Sequence, residues 1–286
     1  MDRHGLFVIF LSFLLCSCNS VAIDNNQNTI IDDDAIKDGE VVDDNADTKP
    51  QTPQSEEDLK LDINITLPRK TESVSSLLAG VYYYVNINST HLISFGDIDI
   101  AYNQTSDIVF TPWADTDDDY TSMSFRYLLK VDAIYSDLTI SATYHNASIE
   151  KTYDVYENTL DSELIKFDDK SRGTGDSQFT YLVKSYDEFK NVCYDQRITN
   201  TGIEESLFSS RYLYIARFAL SRYVVDMNYI SSFLFEDCLY VQFLHESIDN
   251  STWDISKRYT YFISLPKEEY KISAVSLANR YYHRSF

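Results

Sequence analysis

The chain has 286 residues, 44% apolar and 14% aromatic, which gives it enough hydrophobic side chain for one large or two small domains. Its 24 Lys and Arg against 45 Asp and Glu leave a formal charge of −21. That balance excludes nucleic acid as a partner, since phosphate binding needs clustered cations, and it disfavours adhesion of the folded part to anionic lipid.

The first element is an apolar run, Gly5 to Leu15, behind Arg3. It is too short to cross a bilayer as a helix, which takes about 20 residues, and it has the layout of a signal peptide. It ends in Leu15-Cys16-Ser17-Cys18: a Leu three residues before a Cys, a small residue just before it, and an acidic, Asn-rich chain after it. This resembles the lipobox of bacterial lipoproteins. The resemblance implies removal of residues 1–17, acylation of the Cys18 thiol with palmitate-like chains, and a protein held on the extracytoplasmic face of the cell membrane. Two or more acyl chains, at about 0.8 kcal/mol per buried methylene, hold a protein firmly to a bilayer. An ordinary secretory signal cut near Ala22 is the alternative reading of the same run.

Residues 18–60 read as a disordered acidic linker. Between Asn19 and Lys60 there are twelve acids and three bases (Lys37, Lys49, Lys60), and so polar a segment cannot bury enough surface to offset the entropy of ordering. A flexible chain of about 40 residues spans roughly 35 Å.

Residues 61–170 form the first expected domain, an antiparallel β-sandwich. Leu61, Ile63, Ile65 and Leu67 alternate with polar residues, as do Phe125 to Val131 and Leu138 to Tyr144, and Ile149, Lys151, Tyr153 and Val155 read as the next strand. Val81 to Ile87 and His91 to Ala101 read as two strands around an Asn-Ser-Thr turn, Ser73 to Leu78 as a helical turn, and His145-Asn146-Ala147 as a hairpin turn. Ser171 to Ser177 is the one small-residue cluster in a chain with 7 Gly, and it marks the expected domain boundary.

Residues 177–286 form the second expected domain, β-rich with one or two short helices. Ser185-Tyr186-Asp187-Glu188 reads as a capping box, with Phe189, Val192 and Cys193 on one face of the helix that follows. Glu204 to Phe208 is a further turn. Tyr212 to Phe218 reads as a central strand with Arg217 its lone charge. Tyr223 to Ile230, Phe233 to Phe235, a Glu236-Asp237 turn, Leu239 to Leu244, Tyr259 to Lys267 and Ile272 to Ala278 complete the sheet. The order of a Ser-x-x-Glu-Phe helix, the Tyr212–Phe218 strand, the Glu236-Asp237 hairpin and a strand ending in Leu265-Pro266-Lys267 is similar to the C-terminal domain of dentilisin-type protease-complex subunits. The similarity spans about Phe179 to Val275, and Ser221-Arg222-Tyr223 replaces that family's Gly-Gly-Tyr-like segment. It implies a small binding module with no catalytic residues to carry over.

Chemistry-bearing motifs are sparse. Outside the signal, Cys193 and Cys238 permit one disulfide in an exported chain, or two separate thiols. Asp115, Asp117 and Asp119 begin like a calcium loop, but Tyr120 stands where an EF-hand needs Gly and Arg126 where it needs Glu, which leaves only a looser calcium site. His91, His145, His245 and His283 form no zinc motif, and Cys238 with His245 lacks the orienting third group of a nucleophile. Five Asn-x-Ser/Thr sequons (Asn64, Asn88, Asn103, Asn146, Asn250) would matter in a eukaryotic secretory route. Tyr82, Tyr83, Tyr84, Tyr212, Tyr214, Tyr259, Tyr261, Tyr281 and Tyr282 suit either a partner contact or sheet packing. The expectation is a non-catalytic, cofactor-free, lipid-anchored surface protein that binds a protein or glycan. The alternatives are an accessory subunit of a surface hydrolase or protease, and a secreted N-glycosylated eukaryotic or viral binding protein.

Overall fold

The computed structural model describes residues 59–104, 106–171, 178–199, 201–220, 224–249, 257–270 and 273–283. The lipobox with Cys18, the acidic linker up to residue 58, residues 172–177 of the small-residue cluster and Asn250 lie outside them. The protein is mainly β, as its alternating apolar pattern requires, and the described residues belong to one compact unit.

The first half contributes β1 (Leu61–Thr66), β2 (Ser76–Leu78), β3 (Tyr82–Ser94), β4 (Asp99–Tyr102), β5 (Ile108–Pro112), β6 (Thr121–Val131), β7 (Tyr135–Tyr144) and β8 (Ala147–Tyr156). They build two four-stranded sheets, in the orders β1-β3-β6-β5 and β2-β8-β7-β4. Every second side chain points inward, so Ile63, Ile65, Val85, Ile87 and Leu129 of one sheet bury with Leu77, Leu138, Ile140 and Val155 of the other. Two expectations are corrected. Residues 76–78 are not helical but pair in parallel with β8, which buries Leu77. The Asn-Ser-Thr segment is not a turn either, for β3 runs through it with a break in register between Asn88 and Ile93.

The second half contributes β9 (Glu163–Ser171), β10 (Phe179–Val183), the helix α1 (Tyr186–Asp195), β11 (Arg211–Leu220), β12 (Val224–Phe235), β13 (Cys238–Asp249), β14 (Lys257–Pro266) and β15 (Ser273–His283). One sheet has the order β10-β11-β14-β9 and the other β12-β13-β15, with β13 and β15 parallel. Between them lies an aromatic core that includes Tyr214, Phe218, Met227, Phe243, Tyr259 and Tyr261. The far side of the first sheet is covered by α1 and a 3-10 turn at Glu205–Ser209, through Phe189, Phe208, Leu213 and Phe262.

The expected boundary at 171–177 is also displaced. β9 is hydrogen-bonded to β14, so the chain has already entered the second sandwich by Glu163. The small-residue cluster connects two strands of one sheet, and the passage between sandwiches is the shorter segment 157–162. From Val224 onward the two expected strands Tyr223–Ile230 and Phe233–Phe235 are one strand, β12, which carries register shifts at Val224/Asp226 and Tyr229/Ser231, while Tyr223 lies outside the described residues. The turn at Glu236-Asp237 is as expected, with φ of 51° and 63° at the two residues, the left-handed pair that a tight hairpin demands.

Candidate functional site

The two sandwiches meet on a seam. The face of the β12-β13-β15 sheet that points away from the aromatic core lies on the outer face of the β1-β3-β6-β5 sheet. There Tyr84, Leu128 and Ala278 bury together with Tyr82, Trp113 and Leu244 around them. At its centre is Gln242, which is 0% exposed. Its amide accepts from the Tyr82 N–H at 2.7 Å, donates to the Tyr82 carbonyl at 2.9 Å and reaches Ser276 Oγ at 3.3 Å. The Asn279 N–H donates to the Tyr84 hydroxyl at 2.9 Å, and Asn158 Nδ2 to the Ser232 carbonyl at 2.9 Å. Lys70 pairs with Glu236 at 3.1 Å and lies 4.8 Å from the Phe235 ring. Burial raises the Tyr82 phenol above its usual range, with Asp132 and Glu246 adding to the effect. A lone Gln in the apolar run Leu239 to Leu244 was the signal in the sequence, because a buried amide needs partners.

The seam also decides the fate of the aspartate run. Past β5, Ala114 forms a parallel bridge with Tyr281. The Tyr281 N–H donates to the Trp113 carbonyl at 2.9 Å, and the Asp115 N–H to the Tyr281 carbonyl at 3.1 Å. Trp113 packs edge-on against Tyr281 at 4.7 Å, while Arg126 lies 5.4 Å from the Trp113 ring and 4.9 Å from that of Tyr84. Asp115, Asp117 and Asp119 are thus strung along a segment that closes the edge of β15, with exposed side chains. Among the described residues no three His, Cys, Asp or Glu side chains converge as a metal site would require, so the run is not gathered into a calcium site.

Cys193 sits half-buried on α1 and Cys238 buried at the start of β13, and no disulfide joins them. The permitted bridge is therefore not made: the two residues belong to different elements, α1 covering one sheet and β13 lying inside the other. Burial pushes the Cys193 thiol up, against a smaller downward pull from Arg217. Cys238 and His245 stand seven positions apart on one strand and so point to opposite faces. His245 Nδ1 is 2.9 Å from Asn279 Oδ1 instead.

Arg217, the charge in the middle of β11, is 5% exposed. Nη1 donates to the Gln196 carbonyl at the end of α1 at 3.0 Å, Nε to Thr260 Oγ1 at 3.3 Å, and the guanidinium lies 4.7 Å from the Phe179 ring. A cation at a helix C-terminus is favourable, so Arg217 holds α1 to the sheet. At the other end of the helix Ser185 is the N-cap as expected, Glu188 N–H donating to Ser185 Oγ at 3.2 Å, but Glu188 Oε2 accepts from the Lys184 N–H at 2.7 Å, one residue before the N-cap that a full capping box would engage.

Five of the nine tyrosines named as candidate contact residues are core: Tyr83, Tyr214, Tyr259 and Tyr261 are at most 1% exposed and Tyr84 is 7%. Among the sequons, Asn103 is occupied at both ends of its amide, donating to the Asp137 carbonyl at 2.7 Å and accepting from Thr139 N–H at 2.9 Å. Asn88 Oδ1 accepts from Ser124 Oγ at 2.8 Å. Asn146 is exposed in the β7–β8 turn.

Among the described residues, nothing covers two surfaces of the first sandwich. The outer face of the β2-β8-β7-β4 sheet is rich in hydroxyls. Thr139 and Thr152 are hydrogen-bonded at 2.9 Å, and Ser141, Thr143, Ser148, Ile149 and Glu150 line a shallow depression of about 390 Å³. The second surface is the side where β4 and β5 are the outermost strands. Among the described residues no helix is long and apolar enough to cross a membrane. No family model, no curated protein and no solved structure matches the chain.

Proposed function

We propose that this is a lipid-anchored protein of the extracytoplasmic membrane face that binds a protein or glycan partner and catalyses no reaction. The observation that carries it is Leu15-Cys16-Ser17-Cys18 directly after an apolar run and before an acidic segment. Such a segment sets a folded body at a distance from the bilayer, and the open, polar surfaces of the first sandwich support a binding role. The similarity of Phe179 to Val275 to dentilisin-type subunits supports the narrower version in which the partner is a surface protease.

Intact-mass measurement of the native protein tests the anchor. The expected result is a chain beginning at Cys18 and carrying acyl groups, with Cys18→Ala shifting the protein from the detergent phase to the aqueous phase. A mature chain that begins elsewhere and lacks fatty acyl groups overturns the reading. The exposure of Asn146 favours one second reading, a secreted N-glycosylated binding protein, and the same spectrum then shows glycan mass on that residue.

A further inference from the structure

A chain of six aromatic rings crosses the open side of the first sandwich. Tyr102 of β4 meets Phe110 of β5 with centroids 6.1 Å apart, and Phe110 stacks on Tyr127 at 5.2 Å. Tyr127 stacks on Phe95 at 6.0 Å, Phe95 meets Phe125 at 5.6 Å, and Phe125 meets Tyr120 at 6.2 Å. Phe125 and Tyr127 are buried, Phe95 and Phe110 half-buried, and the ends are exposed, Tyr102 at 37% and Tyr120 at 54%. Around those ends Asp97, Asp99, Asp117, Asp118 and Asp119 are all exposed. The Gly96 N–H donates to the Asp118 carbonyl and the Phe95 N–H to the Tyr120 carbonyl, both at 2.9 Å, so the 95–97 turn and the 117–120 loop form one surface. No Lys, Arg or His occurs between Leu92 and Phe125. The cations on β6, Arg126 and Lys130, lie on the opposite face of the sheet, over Tyr84 and Tyr82.

Both features select the same charge in a ligand. The face of an aromatic ring attracts a cation, and carboxylates without neighbouring bases do so by charge complementarity. The outer edges of β4 and β5 add backbone donors and acceptors for an extended chain. We propose that this side of the sandwich docks an extended Lys- or Arg-rich segment of a partner protein, its cationic groups over Tyr102 and Tyr120 and against Asp97, Asp99, Asp117 and Asp119. The inference narrows the partner class of the proposed function and rests on that reading only for the premise that the chain is a binding protein.

The test is fluorescence anisotropy of a labelled Gly-(Arg-Ser)6 peptide titrated with the full-length chain in detergent, with citrulline in place of Arg as the uncharged control. Saturable binding of the Arg peptide alone is expected. Tyr120→Leu leaves the protein charge unchanged and should weaken binding about three- to fivefold, with Tyr120→Phe restoring it. Asp117→Asn/Asp119→Asn should weaken it about fivefold, whereas Glu268→Gln/Glu269→Gln, which removes two charges from the exposed loop after β14, should change it by less than about twofold. Thermal melts matching the parent show that the variants are folded. No binding, equal losses from the two double variants, or full binding by Tyr120→Leu overturns the proposal, since general attraction to an acidic chain would then suffice. The anchor is read separately from the Cys18 mass, so either reading can fail while the other stands.

Discussion

The side-chain amide of Gln242 brackets the backbone of Tyr82, 160 residues away in sequence, accepting from its N–H and donating to its carbonyl. Two polar backbone groups at the seam are satisfied by one side chain, and no hydrophobic replacement can do this. Gln242→Leu should lower the stability of the whole described body by about 2–4 kcal/mol, because both groups lose their partner while shut away from water. Urea denaturation followed by tyrosine fluorescence measures it; a loss below about 0.5 kcal/mol would show that water or a shifted strand replaces the amide.

Gly96 is packed against the aspartate loop. A Cβ added there would stand 2.7 Å from the Asp118 Cβ and 3.0 Å from its carbonyl oxygen. Gly96→Ala must push the 117–120 loop outward, at a cost of about 1–3 kcal/mol. Faster amide exchange at Phe95 and Gly96 is the local readout, while Gly80→Ala, with nothing within 4 Å but a φ of 76°, should cost stability without that local signature.

Arg217→Met removes the donor to the Gln196 carbonyl while keeping most of the side-chain volume. The expected loss is about 2 kcal/mol, concentrated at the helix. Hydrogen exchange across Tyr186–Asp195 should accelerate well before that of β11 and β14.

The buried phenols set an alkaline limit. Burial pushes Tyr153 up to about 12, with Asp62 adding to it, and burial raises Tyr83 and Tyr127 further still. In the unfolded chain these groups ionise near pH 10, so between about pH 10 and 12 the unfolded state has released protons that the folded state still holds. Stability is therefore fully present below pH 10 and falls as pH rises through this window. Phenolate absorbance from these three should appear together with unfolding, and Tyr153→Phe should move the midpoint to higher pH.

Cys193 and Cys238 should give the same intact mass with and without reductant. Cys193, half-buried with its pKa raised, should react only slowly with thiol reagents at neutral pH. A mass two units lower without reductant would mean that the chain can bring these elements together.

Strands whose inner face is apolar were readable from period-two alternation, as in Leu61 to Leu67, Phe125 to Val131 and Leu138 to Tyr144, while Ile149 to Val155 was readable from the hairpin turn before it despite Lys151 on its inner face. The Ser185 N-cap was readable because its chemistry is local. What escaped was set by partners distant in sequence. Glu163 to Ser171 carries Leu164, Ile165 and Phe167 beside charged neighbours and shows no clean period; only pairing with β14 makes it a strand. Ser76–Leu78 is too short to declare itself and owes its form to β8. The open aromatic side was hidden for the same reason, since Tyr102 and Phe110 fall outside the strands read from the sequence and Tyr120 stands in the aspartate run until the fold brings their rings into one row.

The parallel pairing of β13 with β15 has a consequence for biosynthesis. Between these neighbours the chain crosses to the opposite sheet to lay down β14, so the three-stranded sheet stays incomplete until the residues around Ala278 and Tyr281 have left the ribosome. Those same residues supply one wall of the contact with the first sandwich. The amino-terminal half can thus emerge and collapse early, but its Tyr84 and Trp113 face must wait uncovered for the most distant strand, which makes this late, long-range closure the step most exposed to misassembly.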